Sequence, residues 1–326
     1  MSRHQVIIDT DPGVDDAAAI LLAMASPEID LLGISVVAGN VGLEASLVNA
    51  CKLAALAGYC NLPVLAGASR PLIREPVLGK YAHVGRFADD LVPPTDLVPQ
   101  PDSAIRFIAE RAREAARRGG GITLCAIGPL TNIALALRLH PEVAPGIRQI
   151  VMMGGAFAAL GHRTPWSEYN IHADPHAADV VWRSGVPLTL LPLDVTFQAL
   201  FTEADFSAFE ARDGVCGRAM AELLRAYDRS DEKRFGRPGG PVHDAMAVAW
   251  LLRPELFHGR EAAVGVTTCG PTAGHSWADF HGVTGQSPNA HVIDAVDEAG
   301  YRRLVTERIA GLGATREAPE GREIVA

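Results

Sequence analysis

"IIDTDPGVDDAAAI" (residues 7–20) sets four aspartates, Asp9, Asp11, Asp15 and Asp16, within eight positions, between an apolar stub and an alanine-rich run. The residues before Asp9 read as the end of a buried strand, Pro12-Gly13 as a tight turn, and the run from Asp15 as the start of a helix. A strand that turns sharply into a helix is the repeating unit of a parallel α/β sheet. The chain goes on in the same way. Strands are predicted near 6–8, 31–38, 64–66, 122–127, 147–153 and 188–193, separated by helices near 15–25, 43–58, 102–118, 131–139 and 175–184. Asp102 reads as a helix N-cap, and Asp174-Pro175 as a cap followed by a first-turn proline.

Beyond residue 200 helices dominate, near 203–211, 218–228 and 242–252. Strands near 262–268 and 291–296 and a last helix near 298–310 complete the order. No repeat, low-complexity block or linker divides the chain, so residues 1–312 are expected to form one domain. The tail, 313–326, lacks periodicity and is expected to fray. Three connections, about 67–101, 155–169 and 228–241, are too long for simple links and read as lids or binding loops. In a parallel sheet ligands gather outside the carboxyl ends of the strands, which directs attention to polar residues just after strands.

The 326 residues are 48% hydrophobic and 21% charged, with a formal net charge of -9. That balance is globular and carries no basic footprint for nucleic acid phosphates or an anionic membrane. The five cysteines are scattered, with no CxxC pair, and read as reduced packing residues. No apolar run is long enough for a signal peptide or a membrane span, so a soluble cytoplasmic protein is expected.

Carboxylates in a helix's first turn are favoured by the macrodipole and by capping, which accounts for one or two of the four aspartates. Four so close cannot all stay ionised without a compensating cation or raised pKa values. Oxygen-only ligands point to Ca²⁺ or Mg²⁺ rather than zinc, and the spacing is not that of an EF-hand. Other strand ends offer the remaining donors: Asn40 in "VVAGN", backbone carbonyls in "CAIGPLTN", Glu168 and Asn170 in "SEYNIHADP", and His243 and Asp244 in "PVHDAMAVAW". Each has a plainer reading. The asparagines suit turns, His243 suits a partly buried histidine, and Asp244 a helix start. Arg111, Arg113, Arg117 and Arg118 read as a solvated helix face.

Together, "DTDPGVDDAAAI", "VVAGN", "IGPLTNIALAL", "VMMGGAF", "EYNIHADPHAA" and "VHDAMAVA" resemble, in order and spacing, the nucleoside hydrolases of the inosine-uridine-preferring N-ribohydrolase type. The resemblance runs over about residues 5–310. It implies an α/β fold with a Rossmann-like, mostly parallel sheet flanked by helices, a tightly bound Ca²⁺, and a homodimer or homotetramer. Carried onto this sequence, the side chains of Asp11, Asp16 and Asp244 and the main-chain carbonyl of Ile127 become calcium ligands. Asp15, Asn40, Glu168 and Asn170 become ribose contacts, and Met153 lines the pocket. Cleavage of an N-glycosidic bond builds positive charge on the sugar and negative charge on the base. The resemblance makes Asp11 the base for the attacking water and His243 the acid for the leaving base. The sequence departs from the family at "YAHVGRFADD", where His83 is a candidate nucleobase contact, and at "GHRTP", where His162 stands in place of an asparagine near the sugar's 5' hydroxyl. Tyr227, Phe235 and Trp166 are candidates to stack on the base, with core packing the alternative for Tyr227.

Two other readings compete. A haloacid-dehalogenase-like phosphatase would use "DTD", but it needs Thr or Val where this chain has Gly13, and its second acidic pair would fall at Asp89-Asp90 in a proline-flanked loop. A calcium-dependent riboside-binding protein would keep the metal and diol contacts and lose the base or the acid, yet Asp11 and His243 are both present. The expected function is therefore calcium-dependent hydrolysis of ribonucleosides to ribose and free base, with a riboside-binding protein or a hydrolase of a non-standard riboside as alternatives.

Overall fold

A computed structural model describes residues 3–79, 82, 85–227 and 229–313. His83 and the tail from residue 314 lie outside the described residues. The amino-terminal part runs β1 (His4–Thr10), α1 (Val14–Met24), β2 (Ile29–Val36), α2 (Leu43–Leu56), β3 (Val64–Ala66), β4 (Gln100–Ser103) and α3 (Ala104–Arg117). The middle follows with β5 (Ile122–Ala126), α4 (Thr131–Leu139), β6 (Ile147–Met153), α5 (Tyr169–Ala173), α6 (Pro175–Trp182), β7 (Leu188–Leu191) and α7 (Leu193–Thr196). Then come β8 (Leu200–Phe201), α8 (Glu203–Phe209), α9 (Val215–Ala226), α10 (Glu232–Phe235), β9 (Gly240–Pro241), α11 (Ala245–Leu252), β10 (Phe257–Val266), β11 (Ser276–Asp279), β12 (Ala290–Val296) and α12 (Glu298–Ala310).

Ten strands form one sheet in the order β11-β10-β12-β7-β6-β5-β1-β2-β3-β4, and β8 pairs with β9 in a separate ribbon. From β12 through β4 the neighbours are parallel; β10 runs antiparallel to β12 and β11 antiparallel to β10. The expected α/β class and mostly parallel sheet are thus observed. The chain builds outward from β1 in both directions, toward β2 through β4 on one side and from β5 onward on the other, so the β1–β5 gap is the place where a parallel sheet opens a crevice. Apolar side chains pack into two layers, one on each face of the sheet.

One helix fixes the depth of the site. Every residue of α1, the two aspartates included, is buried, as befits a helix apolar on nearly all sides. It packs against α11, which is also buried along most of its length. Both helices therefore begin inside the protein.

Several boundaries differ from expectation. The N-cap of α3 is Ser103; Asp102 sits one residue earlier, where it accepts from Ser103 N and pairs with Arg106. The strand β4, "QPDS", is exposed and carries a proline, which an edge strand tolerates but which hides it from periodicity. Helix α11 starts at Ala245, with Asp244 as its N-cap, so His243 precedes the helix. All five cysteines are free, but Cys60 and Cys269 are exposed; only Cys51, Cys125 and Cys216 serve packing. Among the described residues no helix is long and apolar enough to cross a membrane.

Candidate active site

Thr10 and Asp11 leave β1, Pro12-Gly13 turns, and Asp15 and Asp16 enter the first turn of α1. Asp16 is tied down by its own turn and by the loop after β2: Thr10 Oγ1 donates to it at 2.5 Å, Gly13 N at 2.9 Å and Asn40 Nδ2 at 3.2 Å. Asp244, at the start of α11, joins it, and carboxylate oxygens of Asp15, Asp16 and Asp244 lie within 4.8 Å of one another. Two buried helices thus aim their N-terminal ends at one group of acids, a favourable field for negative charge. Asp11 lies against this group. Its Oδ2 accepts Asn40 N at 2.6 Å, and its buried Oδ1 has no hydrogen-bond partner among the described residues.

Confinement sets the electrostatics. Burial first, then the charge of Asp16, raises Asp11 well above the ordinary carboxylate range. Burial, then Asp15 and Asp16, does the same to Asp244, and burial and Asp15 push Asp16 up to about 6. Asp15 goes the other way, because Arg229 Nη1 pairs with it at 2.6 Å and outweighs its burial. Behind the cluster, Asp9 is raised to about 7 by burial, although Ser35 Oγ donates to it at 2.5 Å and Asn132 Nδ2 at 2.8 Å. Buried oxygens of this kind, crowded and partly unpaired, are the donor set of a hard divalent cation.

Asp15 and Asp244 of this cluster open onto a cavity of about 350 Å³, which Asp11 and Asp16 do not line. Of the residues singled out in the sequence, Asp15, Asn40, Ile127, Met153, His162, Glu168, Asn170, Phe235, His243 and Asp244 line it. Glu168 caps α5, accepting Asn170 N at 2.9 Å and Ile171 N at 3.1 Å, and its carboxylate lies 3.4 Å from His162 Nε2. Asn170 Nδ2 donates to the carbonyls of Ile127 at 2.9 Å and Met153 at 3.1 Å, binding two strand ends together. His243 pairs through Nδ1 with Thr196 Oγ1 at 2.7 Å; burial, then Arg229, holds its imidazole well below the ordinary range. Trp166 does not line this cavity, and Tyr227 lies half-buried beside a smaller one of about 70 Å³ that shares Asp15, Asn40 and Arg229 with it.

Sequence reading missed the cationic and aromatic rim. Arg163, Arg229, Arg234, Phe197 and Tyr169 also line the cavity. Arg234 lies over the Phe197 ring at 5.2 Å, and Phe197 stands 5.6 Å from the His243 ring. The cavity therefore offers anionic oxygens together with aromatic rings and guanidinium groups, and Arg229 joins the two sets through its pair with Asp15.

A family model described as inosine-uridine preferring nucleoside hydrolase matches residues 6–303. The pyrimidine-specific ribonucleoside hydrolase RihA of Salmonella typhimurium is 40% identical over 307 residues, 93% of this chain and 97% of that protein. An uncharacterized protein of Schizosaccharomyces pombe is 41% identical over 310 residues, 94% and 99% of the two chains. Among solved structures, a purine-preferring ribonucleoside hydrolase from Gardnerella vaginalis superposes with a TM-score of 0.85 at 31% identity, covering 95% of this chain and 99% of its own. An inosine-guanosine nucleoside hydrolase superposes with a TM-score of 0.84 at 30% identity, covering 94% and 98%.

Proposed function

The chain belongs to the inosine-uridine preferring nucleoside hydrolase family and is a ribonucleoside hydrolase, and from that premise we propose that it cleaves its substrate's N-glycosidic bond in a calcium-dependent reaction. The observation that carries the calcium reading is the meeting of three buried carboxylates, Asp15, Asp16 and Asp244, two of which, Asp15 and Asp244, line the cavity, with Asp11 Oδ1 buried nearby and without a hydrogen-bond partner among the described residues. Asp11, Asp16, Asp244 and the Ile127 carbonyl would hold the ion. A bound calcium ion would orient the ribose 2' and 3' hydroxyls, restore the ionised form of the carboxylates around it and favour ionisation of the attacking water.

The chain's own residues supply the rest. Asp15, Asn40, Glu168 and Asn170, which line the cavity, are assigned here to the sugar's hydroxyls, and Met153, also in the lining, to its underside. The carboxylates of Asp15 and Glu168 stabilise the positive charge that grows on the ribose as the bond to the base lengthens. Asp11 takes the proton of the water that attacks the anomeric carbon. His243 is assigned here to the base side: it lines the cavity, and its Nδ1 is committed to Thr196, which leaves Nε2 for the cavity. Its depressed pKa makes the resting ring neutral, and in the tautomer whose Nδ1 accepts the Thr196 hydroxyl, Nε2 carries the N–H that can be donated to the departing base. To act as the acid it takes up a proton in the complex, where negative charge growing on the base offsets the guanidinium groups of Arg229 and Arg234. We take the enzyme to be a cytoplasmic homodimer or homotetramer, as the family resemblance implies.

The test is release of free ribose from uridine, cytidine, inosine, adenosine, guanosine and nicotinamide riboside, before and after chelation and readdition of Ca²⁺ or Mg²⁺. Uridine and cytidine come first, because RihA, named pyrimidine-specific, shares 40% of its residues with this chain, against 31% for the purine-preferring structure. Ribose release that Ca²⁺ restores and Mg²⁺ does not is expected. Turnover unaffected by chelation would refute the calcium requirement, and silence across the panel with ion bound would favour a non-standard riboside or a binding-only protein.

A further inference from the structure

The long connection between β3 and β4 is fastened at separate points. Ala68 N donates to Asn132 Oδ1 at 2.7 Å, Leu72 N to Asp174 Oδ2 at 2.8 Å, and Gly79 N to Asn40 O at 3.1 Å. Its later part, residues 85–92, is gripped by two side chains of α2. Lys52 Nζ donates to Phe87 O at 2.7 Å and Val92 O at 3.0 Å and pairs with Asp89 Oδ1 at 2.6 Å. Less than one turn earlier, Asn49 Oδ1 accepts Phe87 N at 2.8 Å while its Nδ2 donates to Pro12 O at 3.0 Å.

The lysine is the unusual member. Its side chain is 4% exposed, whereas that of Asp89 is 73% exposed. Ammonium groups are rarely withdrawn from water, and here all three of its N–H bonds have acceptors, two of them main-chain carbonyls. An anchor of that cost is placed where position matters. Pro12 belongs to the turn that carries Asp11, so one asparagine touches both the catalytic turn and the strapped segment. Between them lies the smaller cavity, lined by Pro12, Gly13, Asp15, Asn49 and Phe87 and adjoining the main one at Asp15 and Asn40.

We propose that Asn49 and Lys52 are positioning residues for the hydrolase reaction: they lock residues 85–92 onto the Pro12 turn and so fix the wall of the riboside site on its Asp15 and Asn40 side. This rests on the hydrolase reading above. Neither side chain lines the main cavity, so both act through the segment they hold. Residues 85–92 line the smaller cavity and not the main one, away from the proposed base and acid, so releasing them is expected to raise KM while leaving kcat in place.

The variant Lys52→Met keeps the apolar stem and removes the three bonds. It is expected to raise KM for the best riboside about tenfold with kcat within about twofold, and to speed tryptic cleavage after the exposed Arg86 by at least about fivefold. Lys52→Arg should recover both readouts in large part. A folded Lys52→Met protein with unchanged KM and unchanged cleavage overturns the proposal, as does a fall in kcat alone. Should Lys52→Met fail to fold, Asp89→Asn, altered at an exposed side chain, is expected to raise KM about twofold to threefold and to hasten the same cleavage; no change in either overturns the proposal. If the wild type hydrolyses no riboside, the hydrolase reading falls on its own, and cleavage after Arg86 still decides whether Lys52 holds the segment.

Discussion

Asp11 is held between two glycines. A Cβ on Gly39 would lie 2.1 Å from its Oδ2, and one on Gly128 2.7 Å from its Oδ1. Neither glycine has a positive φ, so the reason for glycine here is space beside the carboxylate rather than backbone conformation. Gly39→Ala adds a single methyl and no charge, yet must turn Asp11 away from Asn40 N or push the 37–40 turn outward. Misplacing the proposed base by about 1 Å is expected to lower kcat roughly a hundredfold while the fold survives. Steady-state kinetics beside a circular dichroism spectrum decide it; a variant with normal kcat would mean that the position of Asp11 is not critical. At this scale the aspartates, Asn40, Glu168, Asn170 and His243 were legible because motif residues recur at strand ends. Arg229, which pairs with Asp15, and Lys52 were not. Their partners are distant in sequence, and a lysine in a helix reads locally as a solvated one.

At the level of elements, the clearest signals were those in which a local rule and the tertiary need agree. Pro175 opens α6 behind Asp174, as read, and the structure shows why the cap is more than local. Asp174 Oδ1 accepts Ala177 N at 3.0 Å, while Oδ2 accepts Thr131 Oγ1 at 2.7 Å and Leu72 N at 2.8 Å. One buried carboxylate thereby joins α6, α4 and the start of the β3–β4 connection. Asp174→Ala loses a cap and leaves buried donors unpaired, and is expected to cost roughly 2–4 kcal/mol in urea unfolding. On the same helix, Asp179 pairs with Arg183, whose side chain is 79% exposed, so Asp179→Ala should cost less than about 0.5 kcal/mol. Equal losses for the two would refute the bridging role. The strands missed, β4, β11 and the β8–β9 ribbon, are short or lie at an edge, and the helices missed, α5, α7 and α10, span only four or five residues each. The strands exist because a neighbour offers a free strand edge, and nothing in their own few residues announces that.

For the whole molecule, the acids that make the site are also a standing opposition to its fold. The unfolded chain releases protons from Asp9 and Asp16 near the usual carboxyl range, whereas the metal-free fold keeps them up to about 7 and about 6. Asp11 and Asp244 are shifted in the same direction. Over that window the folded state binds more protons than the unfolded state, so these groups stabilise the metal-free protein at low pH and the contribution is lost as pH rises through 6 to 7. A divalent cation reverses the preference, because it binds the ionised carboxylates and binds the folded chain alone; at a hundred times its Kd it adds about 2.7 kcal/mol. The melting temperature of chelator-treated protein is therefore expected to fall between pH 5 and pH 8 relative to the calcium-loaded form, and the gap between the two forms to widen with pH. Two parallel pH profiles would show that the buried aspartates do not hold the ion. In that event neither the crowding of four acids into one strand-to-helix turn nor the convergence of α1 and α11 on them would have the compensating charge that both features imply.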